Sequence, residues 1–96
     1  MNRFDQAKML MKVRKIQKEL ERQIITVEKG DGAVKVDITG EQKLKKIHID
    51  KDKVDFEDVE QLEMWLEEAV KEAINTSQKI AAEKMQPMMG ALNLGM

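Results

Sequence analysis

His48 is the single imidazole in the chain, Ser77 is the single serine, and Cys and Tyr are absent. Acid–base, nucleophilic and metal chemistry therefore have few residues to draw on. His48 falls mid-run on the polar side of an alternating pattern, the position of a solvated or edge histidine. Ser77 lies inside a long helical stretch, unlike the exposed elbow that carries a catalytic serine. Asp50, Asp52 and Asp55 offer the oxygen ligands of a calcium loop. Lys51 and Lys53 interleave them, however, and the glycine and terminal glutamate of such a loop are not in place. Gly30-Asp31-Gly32 joins two strand-like runs instead of opening a helix, which argues against a phosphate or dinucleotide loop. The reading is of a non-enzymatic protein with no metal, no cofactor and no small-molecule substrate.

The chemistry that remains is charge. Residues 1–29 hold eight Lys/Arg against four Asp/Glu, a net +4, while residues 30–96 hold nine against fourteen, a net −5. The total of −1 hides this asymmetry. Lys8, Lys12, Arg14, Lys15, Lys18 and Arg22 form the basic set of the first helix and are the candidate contacts to a polyanion. A solvated helix face accounts for the same residues with no ligand at all.

These cations sit on an element with clear periodicity. From Phe4 to Arg22 there is no Gly or Pro, and Met9, Val13, Ile16 and Leu20 recur at helical spacing. At 100° per residue they fall in an arc of roughly 60°, a narrow seam, while Lys8, Lys12, Lys15 and Arg22 share an arc of roughly 80° elsewhere on the helix. The β-branched run Ile24-Ile25-Thr26-Val27 follows, then the Gly30-Asp31-Gly32 turn. Val34, Val36 and Ile38 alternate with Lys35, Asp37 and Thr39 as a half-buried strand. After a turn at Gly40, Ile47 and Ile49 face inward in a third strand, with Lys46 and His48 facing out. Leu44 breaks that period, which places a bulge or a late strand start near Lys45. Short turns between three strands dictate an antiparallel meander. A second long helix starts near Val59, with Asp55 or Asp58 as its cap. Its apolar stripe carries Leu62, Leu66, Ala69, Ala73 and Ile80, continued by Thr76 and widened by Trp65 and Val70. Pro87 is expected to stop the helix, leaving 86–96 as a flexible Met- and Gly-bearing tail beyond a single domain at 1–85.

The order is α-β-β-β-α, an α+β protomer. At 96 residues and 11.1 kDa there is room for one core only. Charged residues make up 36% and aromatics 3%, the composition of long exposed helices that borrow a partner's apolar face. Unpaired sheet edges and the narrow seam both call for a homodimer. No apolar run reaches the ~18 residues of a membrane helix. Arg3, Asp5 and Lys8 interrupt any signal-peptide core, and the lack of Cys fits a reducing compartment, so no membrane partner is expected and the cytoplasm is the default location.

The chain resembles the YbaB/EbfC family of small bacterial nucleoid-associated proteins. The resemblance is carried by Met9-Leu10-Met11-Lys12 with Ile16-Gln17-Lys18-Glu19-Leu20, and by Gly32-Ala33-Val34-Lys35-Val36-Asp37-Ile38-Thr39-Gly40. It continues in Leu44-Lys45-Lys46-Ile47-His48-Ile49-Asp50 and in Leu66-Glu67-Glu68-Ala69-Val70-Lys71-Glu72-Ala73-Ile74-Asn75. It implies a tweezer-like homodimer whose helices project outward and bind double-stranded DNA of the nucleoid with little sequence preference. With no intercalating aromatic wedge and no recognition-helix motif in view, base readout is not expected. The rival reading is a dimeric helical scaffold or adaptor that grips a protein partner and no nucleic acid.

Overall fold

The computed structural model describes residues 3–92. Helix α1 (Arg3–Arg22) leads into strands β1 (Ile24–Lys29), β2 (Val34–Thr39) and β3 (Leu44–Ile49), and helix α2 (Val59–Leu92) is the last described element. The three strands form one antiparallel sheet in the order β1-β2-β3. This is the expected α-β-β-β-α protomer.

The registers follow from side-chain alternation. Ile25 pairs with Ile38 and Val27 with Val36 across β1 and β2, so one sheet face is apolar. On the other face Thr26 Oγ1 donates to Asp37 Oδ1 at 2.7 Å, and Glu28 meets Lys35 at 3.3 Å. Between β2 and β3, Asp37 pairs with Lys46 but Ile38 pairs with Leu44, so Lys45 is the extra residue of a bulge. The bulge lies where the broken period placed it, and it returns Leu44 to the apolar face.

Helix α2 begins at an Asp58 cap, whose Oδ1 accepts the Gln61 N–H at 3.2 Å. Its apolar stripe lies over β1 and β2. Ile25, Val34, Val36, Ile38, Ala69 and Ala73 form the core, flanked by Val27, Leu62, Trp65, Leu66, Val70, Ile74 and Ile80. Each fully buried Val or Ile contributes roughly 1.5–3 kcal/mol. The alanines let the helix sit close to the sheet, and Trp65 stacks over the first turn, where a Cβ on Gly30 would meet its ring at 2.8 Å.

Four expectations need correction. The stripe passes through Ser77, which is fully buried, while Thr76 is only half-buried. Ile47 and Ile49 do share the face of Val36 and Val34, yet they remain 40% and 38% exposed because α2 does not reach β3. A helix about 10 Å wide covers two strands spaced ~4.8 Å apart, and the third is left over. The seam of α1 has an intramolecular partner after all. Leu20 is buried, Met9, Val13 and Ile16 are half-buried, and α1 packs on α2 with Glu19 Oε2 3.7 Å from Lys84 Nζ.

The fourth correction concerns Pro87, which lies inside α2. Proline removes one backbone donor, but the deprived carbonyl belongs to Glu83, an exposed residue whose oxygen water can satisfy. Met88, only 6% exposed, rewards continuation of the helix with buried apolar surface. The boundary expected after residue 85 therefore falls within a helix that runs to Leu92, and the part of the expected tail at 93–96 lies outside the described residues.

The molecule is elongated, 63 × 25 × 15 Å, with a radius of gyration of 18.4 Å. A compact chain of this length has about 12–13 Å. Beyond Ser77 α2 leaves the sheet as an arm, with α1 packed on it where Glu19 meets Lys84 and Leu20 nears Ala81 and Met85.

Candidate nucleic-acid interface

Lys8, Lys12, Arg14, Lys15, Lys18 and Arg22 are all exposed. The seam of α1 faces α2, so the basic arc about 110° round the helix from it is turned towards solvent. Lys8, Lys12 and Lys15 line one shallow depression together with Met11. Lys18 and Arg22 line a second with Glu21, Ile24 and Lys45. Arg14 stands apart from the first three cations, on the flank where Gln17, Lys18 and Leu20 face Gly40, Ala81 and Met85. The structure thus gathers the expected set into two basic clusters along the arm and places Arg14 beside them.

Lys45 is the member that sequence reasoning missed. As the bulged residue it carries a cation from the sheet to the root of α1, beside Lys18 and Arg22. The signal was present in the broken period at Leu44, but a bulge does not reveal which neighbour its extra side chain will meet.

The root of the arm is fixed by backbone contacts. The Gly40 N–H donates to Leu20 O at 2.8 Å, and the Gln23 N–H donates to Glu19 O at 3.0 Å. A Cβ on Gly40 would lie 2.8 Å from Leu20 O, so only glycine admits this approach. Ser77 Oγ ties the same corner to α2. It donates to Thr39 O at 2.7 Å and accepts from Gln42 N at 3.2 Å and Gln42 Nε2 at 3.0 Å. Gln42 takes a positive φ of 63° to present both groups.

Other cations are engaged elsewhere. Lys29 Nζ lies 2.7 Å from Glu72 Oε2, which raises the pKa of this lysine first through the hydrogen bond; partial loss of hydration opposes the rise, and the carboxylate charges of Glu72 and Glu68 add to it. The Lys71–Glu67 pair, also 2.7 Å apart, raises the lysine and lowers the carboxyl, chiefly by the same hydrogen bond. Both pairs belong to the half of α2 over the sheet, where Glu60, Glu63, Glu67, Glu68 and Glu72 make the surface acidic. The chain is therefore basic on the outer side of the arm and acidic on the back of the body.

The residues weighed for chemistry have structural surroundings. Asp50 Oδ1 accepts the Asp52 N–H and Asp55 Oδ1 the Glu57 N–H, both at 3.0 Å, as turn-forming contacts. His48 is exposed and pairs across the ladder with Lys35. Among the described residues no group of three or more His, Cys, Asp or Glu is placed to hold a metal ion, and no helix is long and apolar enough to cross a membrane.

An arm of helices carrying cations outward, mounted on a small sheet, is an architecture suited to binding an anionic polymer. Residues 1–92 match the YbaB/EbfC DNA-binding family, and the chain belongs to it. A nucleoid-associated protein of Chloroflexus aurantiacus is 36% identical over 84 residues, covering 88% of this chain and 84% of its own. One from Syntrophobacter fumaroxidans is 33% identical over 94 residues, covering 97% and 86%. Among solved structures, an uncharacterised protein of Helicobacter pylori shares the fold, with a TM-score of 0.78 at 20% identity over 86% of this chain and 87% of that one.

Proposed function

We propose that this protein is a nucleoid-associated DNA-binding protein of the bacterial cytoplasm that grips duplex DNA as a homodimer. The contacts are made to phosphates by Lys8, Lys12, Arg14, Lys15, Lys18 and Arg22, with little preference for sequence because phosphates carry no base information. The observation that supports this most directly is the exposure of all six side chains on an arm held away from an acidic body. Phosphate neutralisation releases counterions, so affinity falls steeply with salt.

The homodimer rests on β3. Leu44, Ile47 and Ile49 are 54%, 40% and 38% exposed on the apolar sheet face, and the backbone edge of β3 is unpaired. Val70 and Ile74 lie on the flank of α2 away from Trp65 and Glu72, the residues on the β1 side. A second copy seated here would cover that apolar strip and the free edge in one contact, leaving two basic arms to straddle a duplex.

The test is a salt series of binding to random-sequence duplex DNA, with the parent and with Lys8→Glu/Lys12→Glu/Lys15→Glu. The triple variant should keep its fold and lose binding, and single Lys→Gln changes should each flatten the log–log salt slope by about one unit. A triple variant that binds as the parent does would put the site elsewhere. A parent that fails to bind at low salt would hand the reading to a protein-binding scaffold.

A further inference from the structure

The outer face of α1 is not uniformly cationic. Phe4 and Met11 are 77% and 69% exposed, the two most exposed large apolar side chains among the described residues. They are two helical turns apart, so they share an azimuth to within ~20° and stand ~10 Å apart along the axis. That azimuth is roughly 150° or more from the Met9/Val13/Ile16/Leu20 seam, so neither residue serves the packing of α1 on α2. It lies instead at the edge of the basic arc, beside Arg22 and Lys15 in azimuth. Met11 lines its depression with Lys8, Lys12 and Lys15, whose methylene stems extend the apolar patch while their charges rim it.

A face that met phosphates alone would gain nothing from two large apolar side chains held in water. We propose that Phe4 and Met11 are apolar contacts to the bases of duplex DNA. With Lys8, Lys12 and Lys15 seated on phosphates, the two side chains enter the groove between the strands and bury against base edges. This rests on the DNA-binding reading above and adds a second component to it. Charge neutralisation sets the salt dependence of binding, because it releases counterions. Apolar burial releases none, so it contributes an affinity that salt does not remove. Its apolar targets in the groove are thymine methyl groups and deoxyribose faces, so it adds at most a mild preference for A·T pairs.

The two components separate in one experiment. Binding of random-sequence duplex DNA is followed across a salt series for the parent, for Lys8→Gln and for Phe4→Ser/Met11→Ser. The apolar double variant should give a line parallel to the parent's, displaced to roughly tenfold weaker affinity at every salt concentration. Lys8→Gln should change the slope instead, and Phe4→Leu should restore most of the affinity. Unchanged binding by the double variant would overturn the proposal, as would an effect on slope in place of intercept. A change in sedimentation of the double variant without DNA would assign the patch to a second copy. Loss of binding to vesicles containing anionic lipid, with DNA binding intact, would assign it to a membrane surface. Failure of the parent itself to bind DNA would sink the underlying reading together with this one, whereas a salt-dependent parent with an unaffected double variant sinks this one alone.

Discussion

Ser77 Oγ donates a 2.7 Å hydrogen bond to the carbonyl of Thr39, joining the middle of α2 to the last residue of β2. Both residues are buried, with 0% and 1% exposure. The same oxygen accepts from the backbone and side chain of Gln42, so one hydroxyl adds three bonds to the backbone contacts that hold the corner from which the arm departs. A serine here is a structural fastener between helix and sheet.

Replacing it tests that role. Ser77→Ala removes the three hydrogen bonds of the hydroxyl, while the Gln42 N–H keeps its 3.1 Å bond to Thr39 O, and should destabilise the fold by about 0.5–1.5 kcal/mol. For a domain this size each kcal/mol lowers the melting temperature by about 4–8 °C. Urea melts of parent and variant measure the difference directly, and unchanged midpoints would show that the three hydrogen bonds contribute nothing net.

The continuation of α2 past Pro87 makes the opposite prediction to a dispensable tail. Truncation after Met85 removes Met88, which is 6% exposed, and should lower stability by about 2 kcal/mol, the low end for a buried methionine because a helix end can relax. Met88→Ala should account for most of that loss in thermal melts.

The exposed strip on β3 predicts a clean split between folding and assembly. Ile47→Glu alters a side chain that is 40% exposed in the protomer, so the monomer should fold with little penalty. Burying that carboxylate at a dimer contact is costly, and sedimentation should report a species of half the parental mass. A variant that stays dimeric would move the interface off β3.

Stability should be flat through neutral pH and fall at both extremes. Glu67 is lowered from 4.5 in the folded state, so its contribution is present above 4.5 and is lost as pH falls through the lowered value. Lys29 and Lys71 are raised from 10.5, so theirs are complete below 10.5 and lost as pH rises through the raised values. All three groups are open to solvent, so the effects are small and salt should blunt them. Melting temperatures of the parent against Glu67→Gln should converge at acid pH, and those of the parent against Lys29→Met at alkaline pH.

Local periodicity made the element order, the meander and the bulge legible. Val34, Val36 and Ile38 alternate because β2 is central, and the slip at Leu44 is the bulge itself. The exposure of the six candidate cations was equally legible, since helical spacing alone separates them from the seam. What failed depended on partners distant in sequence. Nothing in Ile47-His48-Ile49 records that α2 is one helix wide and stops short of β3. The local rule for Pro87 is a helix stop, and the burial of Met88 overrides it. The environment of Ser77 exists only because Gln42 folds back 35 residues upstream with a positive φ.

The contact between Gly40 and Leu20 also acts as a pivot. Phe4 is four and a half turns from Leu20, a lever of ~24 Å, so a tilt of about 5° at the pivot carries the tip through ~2 Å. Gly40→Ala, by wedging a methyl against Leu20 O, would therefore press α1 and its packing on α2 out of line without altering one of the cations. In the proposed dimer, the width of the object that two such spokes could clasp would depend on a glycine far from either tip.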